Sequence, residues 1–212
     1  MLLIGMFDSP FVRRVAVTMK LLEIPFEHAN WSVGRDFDRI REFNPLGRVP
    51  TLVTKDGLKL MESSAILDYL DERVGPDRAL LPRAGAERRA ALNLIAMATG
   101  AAEKGVVQVY ELVFRPEDKR HGPWVDRCHA QMSASLAALD RAVGERGVSQ
   151  WLVGKRMTQA DITAACAFTF LNDALRVASD RVMYQSLATL AARCESLPPF
   201  QETRLPFHPP SG

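Results

Sequence analysis

The sequence predicts an α/β domain over residues 1–76, followed by an all-helical domain over residues 85–197. Short apolar runs separated by turn residues occur in the first part, where they indicate strands. Long stretches with apolar residues at helical spacing fill the second part. The linker between them, at residues 76–84, contains two prolines, which interrupt both kinds of element. A proline-rich tail, predicted to be extended rather than helical, follows at residues 198–212.

The composition is that of an ordinary globular protein. The chain has 212 residues, of which 47% are hydrophobic and 25% charged, and its formal net charge is +2. A nearly neutral chain argues against nucleic-acid binding, and no apolar run reaches the roughly 18 residues that span a membrane. The start of the chain lacks the apolar core of a secretory signal. Three widely spaced cysteines exclude a Cys-x-x-Cys pair and a disulfide framework, so we expect a reducing, cytoplasmic location.

Seven elements are predicted in the first domain, each from a local pattern. One apolar run and one weakly alternating segment indicate strands, and an Asp-Gly turn between two short apolar runs indicates a hairpin. Two apolar stripes at helical spacing and one short charged segment indicate helices. In chain order, the elements are a strand at residues 2–6, a helix at 11–23, a strand at 26–31, a helix at 36–43, hairpin strands at 51–54 and 58–60, and a helix at 63–74.

These elements predict a small mixed sheet covered by helices. A strand, a helix and a second strand in succession form a right-handed crossover, which makes the two strands parallel. The later hairpin adds two antiparallel strands. Gly75 and Pro76 are typical of the end of a helix and mark the end of the domain.

Four amphipathic helices are predicted in the second domain, and the third is the most apolar, so we expect it at the centre. A capping box precedes this third helix, in which Thr158 caps the first turn and Asp161 returns a hydrogen bond. Met157 and Ile162 are placed to form a hydrophobic staple. We interpret Asp161 as a folding residue, not a catalytic one. The four helices are predicted at residues 86–114, 125–143, 159–175 and 183–194.

Three short motifs lie where strands and helices meet in the first domain. The first joins the first strand to the first helix, the second leads into the third strand, and the third opens the last helix. They are Ser9-Pro10-Phe11-Val12-Arg13-Arg14, Gly47-Arg48-Val49-Pro50-Thr51-Leu52 and Met61-Glu62-Ser63-Ser64. In this order, ahead of an all-helical domain, they resemble the cytosolic glutathione S-transferases, and the Ser-Pro-Phe-x-x-Arg form is most similar to the serine-type, tau-like pattern. The resemblance covers about residues 1–197 and implies a thioredoxin-like fold for the first domain.

Ser9 is the residue to which the resemblance gives the catalytic role. The thiol of glutathione must ionise before it attacks an electrophile, and a free thiol with a pKa of about 8.5 is mostly protonated at neutral pH. A hydroxyl that donates to the sulfur at a helix N-terminus favours the thiolate. Ser9 would therefore stabilise the thiolate without being the nucleophile. The alternative is a plain helix cap, because serine followed by proline is a common helix start.

The second motif is expected to hold the rest of the glutathione backbone. The resemblance implies a cis bond between Val49 and Pro50, and pairing of the Val49 backbone with the cysteinyl unit of glutathione. It also implies that Arg48 contacts the glycyl carboxylate, with Arg35 as a weaker candidate. The alternatives are a structural cis-proline without a ligand and two solvated surface charges.

The third motif is expected to hold the γ-glutamyl unit. A helix N-terminus binds anions, so Ser63 could hold the γ-glutamyl carboxylate, and Glu62 could pair with the amino group. The alternative is that the serine simply caps the helix. The acidic residue directly before it favours the binding role, because a plain cap gives no reason for it.

Aromatic residues indicate where an apolar acceptor would bind, between the two domains. Phe7 and Phe11 flank Ser9, and Tyr110 and Phe114 share one face of the long helix at i and i+4. Phe168 is a further candidate, but core packing is the better interpretation for it.

The sequence thus predicts a glutathione S-transferase that uses glutathione as co-substrate and transfers its sulfur to a hydrophobic electrophile. The resemblance implies a homodimer, and we expect no metal, nucleic-acid or membrane partner, since the four histidines lack metal-ligand spacing. Two alternatives stay open: a glutathione-dependent isomerase, dehalogenase or peroxidase, and a non-enzymatic binding or regulatory relative. The absence of cysteine from residues 1–80 disfavours a glutaredoxin-like thiol transferase.

Overall fold

A computed structural model of the protein describes residues 1–178 and 183–209. Residues 179–182 of the predicted helical domain and residues 210–212 of the predicted tail lie outside the described residues. Within the described part, no helix combines the length and the apolar character needed to cross a membrane.

Four strands of three residues each form a mixed sheet in the first domain. They are β1 (Leu2–Ile4), β2 (Glu27–Ala29), β3 (Thr51–Val53) and β4 (Lys59–Met61), in the spatial order β2-β1-β3-β4. β1 and β2 are parallel, whereas β3 is antiparallel to both β1 and β4, which confirms the predicted crossover and hairpin. The first strand is shorter than predicted because Gly5, with a φ of +127°, turns the chain out of the sheet.

Three helices cover this sheet: α1 (Pro10–Leu21), α2 (Phe37–Arg41) and α3 (Ser63–Val74). The helix predicted at residues 63–74 has the observed bounds, whereas the other two are shorter than predicted. The apolar stripes of α1 and α3 pack against each other and share one core with β1 and β3. The buried residues of this core include Leu3, Val12, Val15, Met19, Leu52, Ile66 and Leu70.

Four long helices form the second domain: α4 (Gly85–Phe114), α5 (Gly122–Arg146), α6 (Gln159–Leu175) and α7 (Gln185–Glu195). As predicted, α6 is central, because most of its side chains are buried and it packs against α4, α7 and α1. Small residues allow this close packing, as a Cβ atom on Gly105 would lie 2.1 Å from Cδ2 of Leu171. The contact between α6 and α1 joins the helical domain to the helix that begins at Ser9.

The predicted capping box stands at the start of α6. One carboxylate oxygen of Asp161 accepts hydrogen bonds from the backbone N–H of Thr158, at 2.8 Å, and from its hydroxyl, at 2.9 Å. The other oxygen accepts from the backbone N–H of Leu152, also at 2.8 Å. Although burial raises the pKa of the Asp161 carboxyl, these three donors oppose the rise. Asp161 fixes the loop before α6, which is the folding role expected for it.

The tail differs from the prediction at its start. The sequence predicts an extended segment from residue 198 onwards, but Pro198–Gln201 form a short helix, α8. Prolines are compatible with the first positions of a helix, because no intrahelical hydrogen bond needs their missing N–H. Phe200 is fully buried and anchors this turn, whereas residues 204–209 have no regular structure.

Candidate active site

A cleft of about 630 Å³ lies between the two domains. Its floor is the segment between β1 and the first turn of α1, and one wall is the C-terminal half of α4. The loops before and after α2 form the opposite wall, and the tail reaches its rim. The cleft is lined by residues 6, 8–11, 31–33, 37, 46–49, 103, 106, 107, 109, 110, 114, 170, 207 and 208.

Ser9 lies on the floor of this cleft as the N-cap of α1. Its hydroxyl oxygen accepts a hydrogen bond from the backbone N–H of Val12, at 3.4 Å. Ser9 therefore caps the helix, and this cap leaves the hydroxyl proton available for a donor role. A ligand atom in the cleft beside Ser9 would also lie near the positive end of α1.

The loop before β3 reaches the cleft through Val49, which lines it, and the bond between Val49 and Pro50 is cis, as predicted. Asn44, a buried residue that sequence reasoning missed, holds this loop by donating to the Arg48 carbonyl, at 2.8 Å. Gly5 lets this loop approach the end of β1, since a Cβ atom on Gly5 would lie 2.8 Å from Cβ of Val49. The first two motifs therefore meet at the same cleft.

Glu62 and Ser63 lie at the start of α3, outside the set of cleft-lining residues. Ser63 is the first residue of the helix and is buried. Glu62 is the N-cap of the helix, and its backbone φ of 64° is unusual for a residue other than glycine. The carboxylate of Glu62 lies 3.5 Å from the guanidinium of Arg48, and both side chains are more than half exposed. This ion pair connects the third motif with the second.

The two arginine candidates differ in position. Arg48 lines the cleft, whereas Arg35 does not, and the Arg35 side chain is 66% exposed. Arg35 pairs instead with its neighbour Asp36, at 3.3 Å. Of the two arginines, Arg48 is therefore the one whose position suits contact with a ligand in the cleft.

Three of the four predicted aromatic residues line the cleft, namely Phe11, Tyr110 and Phe114. The rings of Tyr110 and Phe114 meet edge to face, with centroids 5.2 Å apart. Phe7 is not among the residues that line the cleft: its ring stacks on His28, with centroids 3.8 Å apart, and lines a separate groove. Phe7 lies close to Ser9 in the chain, but its side chain leaves the backbone toward β2. Phe168 is buried in the helical core, as the packing interpretation expects.

The tail supplies cleft residues that sequence reasoning missed. The ring of Phe207 lies edge to face against Phe170, with centroids 5.7 Å apart. The backbone N–H of His208 donates to the carboxylate of Asp8, at 3.3 Å. No sequence signal links positions 200 residues apart, whereas the acid directly before Ser9 is visible in the sequence and could have been singled out.

Two groups in the cleft have perturbed acidity. Burial raises the pKa of the Asp8 carboxyl, although the backbone N–H groups of His208 and Ser9 oppose this change. Burial also raises the pKa of Tyr110; the charge of Arg48 opposes this rise, and the charge of Asp8 adds to it. Among the described residues, no group of three or more histidine, cysteine, aspartate or glutamate side chains is arranged to hold a metal ion.

Family models match both domains of the chain, in the order that the fold requires. The model described as "Glutathione S-transferase, N-terminal domain" matches residues 3–78. The model described as "Glutathione S-transferase, C-terminal domain" matches residues 122–184.

Individual relatives extend over most of the chain. The GST-like protein YibF of Escherichia coli K12 is 32% identical over 173 residues, which is 81% of this chain and 82% of that protein. A glutathione S-transferase from Methylobacterium radiotolerans, solved in complex with glutathione sulfonate, has a TM-score of 0.88 at 29% identity and covers 95% of this chain and 93% of its own. A glutathione transferase family member from Pseudomonas fluorescens, solved with bound glutathione, has a TM-score of 0.84 at 29% identity, with coverages of 97% and 99%. Because both domain models and a relative matched over 82% of its length agree with the fold and the motifs, the chain belongs to the glutathione S-transferase family.

Proposed function

We propose that the protein is a glutathione transferase, which ionises the thiol of glutathione at Ser9 and transfers the sulfur to a hydrophobic electrophile. The observation that carries this proposal is the position of Ser9: it caps α1 on the floor of a largely apolar cleft between the domains. The hydroxyl oxygen is engaged by the helix, and the hydroxyl proton remains for the substrate sulfur.

The reactive thiol has to arrive with a substrate, because no cysteine lines the cleft. All three cysteines are buried, and none lines the cleft. Burial raises the pKa of Cys166 to about 12 and raises that of Cys194 as well, so neither is a thiolate at neutral pH. The glutathione and glutathione sulfonate bound to the similar structures support glutathione as that substrate.

The energy required of Ser9 is modest. Lowering a thiol pKa by about two units requires about 2.7 kcal/mol of preference for the thiolate. A charge-assisted hydrogen bond and a helix N-terminus each contribute about 1–2 kcal/mol in favourable, partly buried geometry. Ser9 at the start of α1 combines both, so no additional cation has to touch the sulfur.

The peptide would extend from Ser9 toward α3 and the loop before β3. The backbone of Val49 would pair with the cysteinyl unit, and Glu62 with Ser63 would hold the γ-glutamyl unit. Arg48 would attract the glycyl carboxylate, and its ion pair with Glu62 is exposed and weak enough to yield to a ligand.

The acceptor would occupy the apolar part of the cleft, against Phe11, Tyr110 and Phe114. These rings offer apolar surface without a fixed pattern of hydrogen-bond donors, which suits hydrophobic electrophiles of different shapes. The expected homodimer and the expected cytoplasmic location are part of the same proposal. Sedimentation of the purified protein and fractionation of its host cell test these two points.

The central experiment compares Ser9→Ala with Ser32→Ala, a serine in the opposite wall of the same cleft. The ultraviolet absorbance of the thiolate, followed against pH, gives the pKa of enzyme-bound glutathione. We expect the wild type and Ser32→Ala to lower that pKa by about two units, and Ser9→Ala to lower it by only about one, because the N-terminus of α1 remains when the hydroxyl is removed. Ser9→Ala should still bind S-methylglutathione, because this ligand has no thiol to ionise.

Two results contradict the proposal. If Ser9→Ala leaves both the bound-thiol pKa and the conjugation rate unchanged, Ser9 does not stabilise the thiolate. If the wild type binds neither glutathione nor S-methylglutathione, the protein is a binding or regulatory member of the family.

A further inference from the structure

Asp8 places a carboxylate in the cleft directly before Ser9, and the proposed function gives this carboxylate no task. Its side chain lines the cleft and is half-buried. Among the described residues, it receives hydrogen bonds from backbone N–H groups, including that of His208 at 3.3 Å. Backbone donors carry no full charge, so the ionised carboxylate keeps its net negative charge in the cleft.

No neighbouring arginine neutralises Asp8. Within the described part of the chain, Asp8 takes part in no ion pair. Two arginines follow it on α1, but both have partners elsewhere: Arg13 pairs with Glu195, and Arg14 donates to the hydroxyl of Ser64 on α3, at 2.9 Å. Neither arginine lines the cleft.

The charged groups that do line the cleft leave its acceptor part negative. Arg48 is the residue proposed for the glycyl carboxylate, so bound glutathione would use its charge. The ring of His208, when protonated, favours the ionised form of Asp8, but it forms no ion pair with the carboxylate. Glu103 on α4 adds a second negative charge to the lining.

Aromatic rings surround the same part of the cleft. The charge of Asp8 acts on Tyr110, which places these two side chains within electrostatic reach of each other. Phe207 directly precedes the residue that bonds to Asp8, and its ring lies edge to face against Phe170. Aromatic faces attract cations, and a carboxylate without a counterion attracts them more strongly. A positively charged acceptor would be stabilised by both, whereas an acceptor with a carboxylate would meet a like charge.

We propose that Asp8 is a specificity-determining residue, which selects electrophiles whose apolar body carries a positive charge and disfavours electrophiles that carry a carboxylate. This inference rests on the proposed function, since it names the class of acceptor for that reaction. The rings would hold the apolar body, and the positive charge would lie beside Asp8. Like-charge repulsion would reject the anionic acceptors, which apolar walls alone discriminate poorly.

The experiment uses three acceptors that share one reactive ring. They are amides of 4-chloro-3,5-dinitrobenzoic acid with an aminoethyl, a propyl or a carboxymethyl group on the amide nitrogen, and at about pH 8 they are cationic, neutral and anionic. In each reaction the thiolate sulfur of glutathione bonds to the ring carbon that carries chlorine, and chloride leaves with the electron pair of the carbon–chlorine bond. The charge preference is the ratio of kcat/KM for the cationic acceptor to that for the anionic one, divided by the ratio of their uncatalysed rate constants.

We expect a charge preference of about tenfold or more in the wild type, with the neutral amide between the other two, because one charge pair in a partly buried site has an effect of this size. Asp8→Asn should reduce the preference to less than about threefold. Asparagine can still accept the hydrogen bond from His208, so the tail keeps its anchor. Any effect of Asp8 on the glutathione thiol is common to all three acceptors and cancels in the ratio.

Two further variants test whether the position of the charge matters. Asp38→Asn is the matched control, because it removes the same charge from an exposed side chain of α2 that does not line the cleft. Its charge preference should equal that of the wild type. Glu103→Gln removes an exposed charge from the α4 wall of the cleft, and solvent screening should make its effect smaller than that of Asp8→Asn.

The inference is overturned if the wild-type preference is less than about threefold, if Asp8→Asn leaves it unchanged, or if Glu103→Gln or Asp38→Asn changes it as much as Asp8→Asn does. The wild-type measurement needs no variant, so it decides the matter even if Asp8→Asn does not fold. A wild type that conjugates none of the three amides also overturns the inference. Binding of glutathione then decides whether the proposed function fails as well.

Discussion

The guanidinium of Arg13 and the carboxylate of Glu195 form a two-point ion pair between α1 and α7, with nitrogen–oxygen distances of 2.7 and 2.6 Å. The same guanidinium donates to the backbone carbonyls of Phe200, at 2.9 Å, and of Thr203, at 3.2 Å. One side chain thereby holds together the helix of Ser9, the helical domain and the start of the tail.

Removing this cation should cost a large part of the stability of the protein. Arg13→Met leaves the Glu195 carboxylate without its cation and removes a hydrogen-bond donor from two backbone carbonyls, so we expect the free energy of unfolding to fall by about 3 kcal/mol. Chemical denaturation measures the change. Lys20→Met is the control, because it removes an exposed pair with Glu202 and should change stability by less than about 1 kcal/mol. If both variants lost the same free energy of unfolding, burial would not be what makes the Arg13 ion pair important.

Asp8 should work against ionisation of the substrate thiol. A negative charge raises the pKa of a neighbouring thiol, and Asp8 directly precedes Ser9 in the same cleft. Burial raises the pKa of Asp8 above its usual 3.8, so the carboxylate exerts this effect only above that raised value. We expect Asp8→Asn to lower the bound-thiol pKa by about one unit, which shifts the acidic limb of the pH–rate profile toward lower pH.

Asp56→Asn serves as the control for Asp8, because Asp56 is an exposed residue of the β3–β4 turn outside the cleft. The pH–rate profile of Asp56→Asn should match that of the wild type. Asparagine at position 8 can still accept the hydrogen bond from His208, which separates the charge from the position of the tail. A profile that shifts toward higher pH in Asp8→Asn would have the wrong sign and would refute the prediction.

Phe207 should set the fit of the acceptor at the tail side of the cleft. Phe207→Ala removes apolar surface from the wall, so we expect KM for a small aromatic electrophile to rise about threefold to tenfold, with little change in glutathione affinity. Steady-state kinetics with each substrate varied separates the two effects. Phe7→Ala removes the same ring from the separate groove beside His28 and should leave the acceptor KM unaltered. A rise in KM for Phe7→Ala alone would mean that the acceptor binds elsewhere.

Local features of the fold could be predicted because short segments determine them. The helix at residues 63–74 and the capping box of Thr158 and Asp161 depend on contacts within a few positions. The mixed sheet follows from the order of its elements and from one turn. The ends of β1 and α1 could be predicted only approximately. They depend on backbone conformations with positive φ, at Gly5 after β1 and at Glu23 after α1.

Features that depend on distant contacts could not be predicted. The nearness of Phe7 to Ser9 in the chain predicts a place in the cleft, but its ring stacks on His28 of β2 instead. The hydrogen bond between His208 and Asp8 joins the two ends of the chain, with the whole helical domain between them in the sequence. Prolines in the tail predict an extended chain, yet the burial of Phe200 makes its first turn helical.

Ser9, Arg13 and Arg14 lie within six consecutive residues and point to three different surroundings: the cleft, the tail and the start of α3. A helix turns by about 100° per residue, so their directions are fixed by how many residues separate them. Point changes at the intervening positions preserve these directions, whereas one added or deleted residue would rotate both arginines away from their partners at once. The length of this segment is therefore under a stricter constraint than most of its side chains, and gaps should be absent from it when related chains are aligned.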